Sequence, residues 1–102
     1  MRSGGANIPV PVAEVSWFEA RGDYVAAHAG PLRHMVRLSL NRLQERLDPK
    51  RFLRIHRTHI VNLDRVKRFR PHGKCRLEAI LADGICLPVS KNRSQELRGL
   101  GT

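Results

Sequence analysis

The sequence predicts a mainly β domain with one short helix. Apolar and polar residues alternate over several short runs, the period-two signature of half-buried strands. Turn signals divide those runs at Arg21-Gly22-Asp23, Ala29-Gly30-Pro31, Pro71-His72-Gly73 and Asp83-Gly84. Only one stretch, about 39–47, carries the three-and-four spacing of an amphipathic helix. At 102 residues the chain fits one domain with a modest core, and 41% hydrophobic content argues against wholesale disorder.

The elements follow in order. Residues 1–7, beginning Met1-Arg2-Ser3-Gly4-Gly5, lack the apolar stretch of a signal peptide and read as a flexible leader. Residues 8–98 read as the domain and 99–102 as a tail. Ile8-Pro9-Val10-Pro11-Val12 is at most an edge strand, because two prolines remove ladder donors. Over 14–20, Val15, Trp17 and Glu19 alternate with Ser16, Phe18 and Ala20, which predicts a strand. Tyr24 to His28 returns after the turn, and a third strand follows at about 32–37. Ser39 suits a helix N-cap; Leu40, Leu43 and Leu47 then form one apolar stripe, stopped by Asp48-Pro49.

Phe52–Ile55, Thr58–Leu63, 65–70 and 75–81 are further β-prone runs. Asp83-Gly84 before Ile85-Cys86-Leu87 signals a two-residue hairpin. After Pro88-Val89, Ser90 can cap a final turn or short helix through Leu97. Cys75 and Cys86 are too few for a disulfide scaffold and read as small core hydrophobes.

Charge points to the partner. Nineteen Lys and Arg against nine Asp and Glu give +10, a balance suited to a polyanion. Between Arg51 and Arg76 nine basic residues face only Asp64, a net +8 in 26 residues. No apolar run is long enough to span a membrane, so the expected site is soluble and cytoplasmic. The partner is then nucleic acid or an anionic surface.

Enzyme signatures are weak. The glycines are scattered through turns, with no Gly-rich phosphate loop and no nucleophile elbow. His56 and His59 are the one close imidazole pair, and His72 with Cys75 the best second pair. That falls short of the two close pairs a structural zinc normally needs, and strand residues three apart face opposite ways. No metal or cofactor is expected. Aromatics (Trp17, Phe18, Tyr24, Phe52, Phe69) are too few for a base-stacking platform, which favours duplex DNA over single strands.

The run Phe52-Leu53-Arg54-Ile55-His56-Arg57-Thr58-His59-Ile60-Val61-Asn62 resembles the central signature of LytTR DNA-binding domains. Val15-x-Trp17-Phe18-Glu19-Ala20-x-Gly22-Asp23-Tyr24-Val25 is similar to the family's opening motif. Leu38-Ser39-Leu40-x-x-Leu43-x-x-x-Leu47 is similar to its helix, and Asp83-Gly84 with Leu87-Pro88-Val89-Ser90-Lys91 to its terminal hairpin and basic loop. The resemblance covers residues 13 to about 97.

It implies an elongated β-β-β arrangement of small stacked sheets, with the helix packed on one side and a C-terminal helical turn. It also implies sequence-specific duplex DNA binding as the output domain of a bacterial transcription regulator. Three loops become candidate DNA readers: Arg21, Gly22, Asp23 and Tyr24; His56 and Arg57; and Lys91, Asn92 and Arg93. Arg54, Lys67, Arg68, Arg70 and Lys74 are the expected phosphate contacts.

Plainer readings stand beside these. Arg57 can simply pair with Asp64; Asp23 suits turn-shaping better than a phosphate; His56 suits a structural hydrogen bond; and Asn62 suits a turn or cap. The chain departs from the family at its start, where a further strand is common before Val10–Val12. That reads as a fragment of a longer regulator with an upstream sensory or receiver domain, binding repeated sites as a dimer. An RNA-binding β domain, a small metal-dependent hydrolase using His56, His59 and Cys75, and a protein-interaction domain are the rivals.

Overall fold

A computed structural model describes residues 2–3, 6–7, 11–73 and 76–94. Inside the segment read as a leader, β1 (Arg2–Ser3) pairs antiparallel with β2 (Ala6–Asn7). The expected edge strand ending at Val12 is replaced there by a 3-10 turn, Val12–Glu14. Pro11 is the cause: its φ of −57° leads into the turn, and its carbonyl accepts from the Glu14 N–H at 2.9 Å. Residues 8–10 lie outside the described residues.

The central sheet contains β3 (Trp17–Arg21), β4 (Tyr24–Ala29), β5 (Leu32–Val36), β6 (Phe52–His56) and β7 (His59–Asn62) in the order β5-β4-β3-β7-β6, all antiparallel. A second sheet contains β8 (Val66–Pro71), β9 (Leu77–Leu81) and β10 (Cys86–Pro88), ordered β10-β9-β8. Helix α1 (Leu40–Arg46) is capped by Ser39, whose hydroxyl accepts from the Arg42 N–H at 3.2 Å. The whole is elongated, 40 × 24 × 24 Å.

Alternation along the strands builds two cores from one sheet, because neighbouring side chains leave opposite faces. Phe18, Val25, Ala27 and Ile60 bury against Leu40 and Leu43 of α1 and Leu47 at its C-terminal cap. Their neighbours Trp17 and Val61 face the other way and pack with Ile55 against Leu77, Leu81 and Leu87 of the second sheet and Val89 just after it. The layers are therefore helix, five-stranded sheet and three-stranded sheet.

Asn62 ties the segment before β3 to the turn that follows β7. It is buried; its amide donates to the Val15 carbonyl at 2.9 Å, and its Oδ1 accepts from the Asp64 N–H at 3.0 Å.

Two sequence expectations fail here for local reasons. Cys86 is exposed, because Leu87 takes the inward position on β10; Cys75 lies outside the described residues. The Asp83-Gly84 signal closes a three-residue loop, since Leu81 N–H bonds the Ile85 carbonyl at 2.8 Å. Gly84, at φ +92°, fills the left-handed position such a loop demands.

Candidate nucleic-acid interface

The sheet order gathers the separated loops at one end of the molecule. Glu19 of β3 stands opposite His59 of β7, and the Ala20 N–H bonds the Thr58 carbonyl at 2.9 Å. The Gly22-Asp23 turn after β3 and the Arg57-Thr58 turn before β7 thus project side by side. The Ser90 N–H bonds the Ile55 carbonyl at 2.7 Å, which brings the segment after β10 to the same end. Residues 91–94 there begin a helical turn; Ser90 Oγ accepts from the Arg93 N–H at 3.3 Å, and the Ser94 hydroxyl accepts from the Leu77 N–H at 2.8 Å.

Two clefts lie between the Arg57-Thr58 turn and the segment after β10. Arg54, His56, Arg57, Ser90, Asn92 and Arg93 surround one of about 390 Å³. His56, His72, Arg76, Pro88 and Lys91 are among the residues lining a second, of about 230 Å³. Each is walled by cations, Arg54, Arg57 and Arg93 in the first and Arg76 and Lys91 in the second, a surface suited to anionic ligands. The opposite end, around Gly30, Arg65 and Asp83, is a separate hollow.

The β6–β7 turn is held from within. Arg54 donates through Nε to the His56 carbonyl at 3.3 Å and through Nη2 to the Arg57 carbonyl at 2.6 Å. Its Nη1 reaches the side-chain oxygens of Asn41 and of Gln44, the latter at 3.0 Å. Burial lowers the Arg54 pKa from its ordinary value, and the nearby charge of Arg93 lowers it further.

His56 Nδ1 accepts the Thr58 N–H at 3.3 Å, so neutral His56 carries its proton on Nε2. The Thr58 hydroxyl lies 2.8 Å from that same Nδ1 and 2.7 Å from Nδ1 of His59. Behind it, the Trp17 indole lies between the rings of His28 (3.9 Å) and His59 (5.3 Å). Burial, then the Arg57 and Arg76 charges, hold the His56 pKa below the usual imidazole value. Burial also lowers that of His59; His56 and His28 add to the effect and Glu19 opposes it.

Arg57 is exposed, and its suggested partner Asp64 lies instead 3.9 Å from Arg51. Lys91 and Asn92 are exposed, Arg93 partly so. Gly22 holds φ +61° in the two-residue turn between Arg21 and Tyr24. Arg21 lies 3.9 Å from Glu19, and Tyr24 is 44% exposed, the one aromatic among the exposed large apolar side chains of the described residues.

On the edge strand β8, Lys67 and Arg68 are exposed, while Arg70 forms an ion pair with the buried carboxylate of Glu78. Cationic side chains there also guard the open edge against pairing with another chain. Lys74 lies outside the described residues. Among the described residues no three metal-ligating side chains gather.

A family model, the LytTr DNA-binding domain, matches residues 5–101, nearly the whole chain. The chain belongs to the LytTR DNA-binding domain family. It is 36% identical over 92 residues to the CO-responsive transcriptional regulator RcoM of Rhodospirillum rubrum, covering 89% of this chain and 39% of that protein. The sensory transduction protein LytT of Bacillus subtilis is 31% identical over 58 residues, 57% of this chain and 24% of LytT. This LytTR domain therefore spans well under half the length of these relatives. In structure it matches the LytTr DNA-binding domain of a putative methyl-accepting/DNA response regulator from Bacillus cereus, with a TM-score of 0.83 and 29% identity over 91% of this chain and 85% of that one.

Within the LytTR scaffold, the three loops singled out from sequence do meet at one end. Sequence reasoning missed Arg37 and Arg42, which share a hollow of about 530 Å³ with Gly22, Asp23 and Ser39. It also left Arg76 off the site, which faces His56 and Lys91. Their signal was charge alone; the adjacency depends on strand order, which periodicity does not encode.

Proposed function

We propose that this LytTR domain reads duplex DNA with the loop end of the molecule, as the output domain of a bacterial transcription regulator. The observation that carries the reading is the convergence of the 21–24, 56–57 and 91–93 segments at one end of the molecule, the last two around a pair of cation-walled clefts. Arg57, Lys91 and Asn92 are exposed there and suit base edges in the major groove. Arg37, Arg42, Arg76, Lys67 and Arg68 suit the flanking phosphates. Arg70 contributes less, because Glu78 already neutralises it.

Asp23 shapes its turn rather than meeting phosphate, and His56 orders the Arg57 turn through Thr58. The scarcity of exposed rings disfavours single-strand and RNA stacking modes. Among the described residues no helix is long and apolar enough to cross a membrane. We place the protein in the cytoplasm, as a non-enzymatic module needing no metal or cofactor. It acts beside a sensory or receiver domain and binds repeated sites as two copies.

The test is selection from a random duplex pool, with sequencing, at two salt concentrations. Enrichment of one short motif that persists at the higher salt is the expected result. Binding without a motif, lost as salt rises, refutes sequence-specific readout. A preference for structured RNA over duplex at equal salt refutes the choice of DNA.

A further inference from the structure

Arg54 has five N–H donors, and four of them are used inside the chain. Two hold the carbonyls of His56 and Arg57, the backbone of the exposed turn. The other two hold Asn41 and Gln44, neighbours three apart on one flank of α1. Those two helix residues are exposed and stand apart from the Leu40-Leu43-Leu47 stripe, so packing against the sheet does not require them. The strand register shifts between Arg54 and His56, where the ladder gives way to the turn. There the side chain of Arg54 supplies the order that the ladder no longer gives.

We infer that Arg54, anchored by Asn41 and Gln44, is a positioning residue that fixes the Arg57 turn for base reading, rather than a phosphate contact. The inference rests on the DNA-reading role proposed above. One donor remains for a phosphate, too few for the bidentate fork that suits Arg to that task. The anchors are amide oxygens, not carboxylates, so they hold the guanidinium without cancelling its charge. The clamp therefore acts on geometry and leaves the electrostatic attraction of the surface intact.

The neutral anchors allow a clean test. The double variant Asn41→Ala/Gln44→Ala removes both without changing net charge, and alanine, the best helix former, preserves α1. Affinity is measured for the duplex motif enriched by the wild-type domain and for a scrambled duplex of equal length, across a salt series. The clamp predicts that the ratio of the two affinities falls about tenfold, the discrimination of one base-reading side chain. The salt slope stays that of the wild type.

Arg54→Lys, which keeps the charge but cannot span four acceptors, reproduces the loss of selectivity. In an Arg57→Ala background the anchor substitutions cost no further selectivity. A phosphate role predicts the reverse: undiminished selectivity in the double variant, and affinity largely retained by Arg54→Lys.

Backbone ¹⁵N relaxation at Arg57 and Thr58, measured without DNA, gives an independent readout. The double variant is expected to loosen those two residues while the β3–β4 turn stays as it was. Unchanged order at Arg57 and Thr58 overturns the clamp whatever the DNA result. If the wild-type domain enriches no motif, the DNA-reading proposal fails, and these relaxation data alone decide the clamp.

Discussion

Replacing Asn62 tests the link between the segment before β3 and the turn after β7. Its side chain is 1% exposed and makes a bond to each side: its amide to the Val15 carbonyl, its Oδ1 from the Asp64 N–H. In Asn62→Ala the Val15 carbonyl, on a residue that is 0% exposed, loses this donor. Stranding such a group costs about 1–3 kcal/mol, and the lost bond at the exposed Asp64, which water can replace, about 1 kcal/mol more. The sum, roughly 2–4 kcal/mol, corresponds to a Tm fall of at least about 8 °C in a domain this small.

Asn62→Asp is the sharper arm. It keeps the acceptor for Asp64 but sets a carboxylate oxygen beside the Val15 carbonyl, so it destabilises more than alanine does. The assay is urea unfolding followed by fluorescence of Trp17, the single tryptophan, which is buried in the second core. A loss under about 1 kcal/mol for Asn62→Ala, or an aspartate variant more stable than the alanine one, refutes the account of Asn62 as that link.

Further predictions follow from the turns and the imidazoles. Gly22→Ala meets no neighbouring atom, so its cost of about 1–2 kcal/mol comes from the φ of +61° alone; thermal melting checks it, and a neutral result refutes the strain. His56 and His59 have folded pKa values below 6.5, so the unfolded chain binds protons that the fold excludes. Stability is therefore full above about pH 6.5 and falls as pH drops through the folded values; the urea midpoint is expected to be lower at pH 5.5 than at 7.5, and an equal midpoint refutes it. Arg57→Ala and Lys91→Ala each weaken binding to the enriched motif by about 1–3 kcal/mol with relaxed selectivity, measured by fluorescence anisotropy. A uniform loss on all duplexes assigns those residues to phosphate instead.

Much of this architecture is legible in order along the chain. Strand positions follow from alternation because a half-buried strand needs one apolar face, and α1 follows from the Leu40-Leu43-Leu47 stripe behind the Ser39 cap. Local chemistry misled where a single residue overruled the pattern. Pro11 led a 3-10 turn, and Leu87 claimed the inward position that Cys86 was expected to hold. The role of Asn62 is readable from its place between Val61 and Leu63, since a lone amide in an apolar run must find partners.

The sequence by itself determined most of the strands and the helix, the basic character of the surface and, through its motifs, the family. Only the tertiary structure decided which cations share a surface and which are already occupied. Arg70 and Arg54 look like Lys67 and Arg68 in sequence, yet one is neutralised by Glu78 and the other is bound to α1 and the Arg57 turn. Arg37 and Arg42 come beside Gly22 and Asp23 across a gap in the chain. The reason is physical: periodicity records which face of its own element a side chain occupies, whereas its partners are set by sheet order and layer packing, which are non-local.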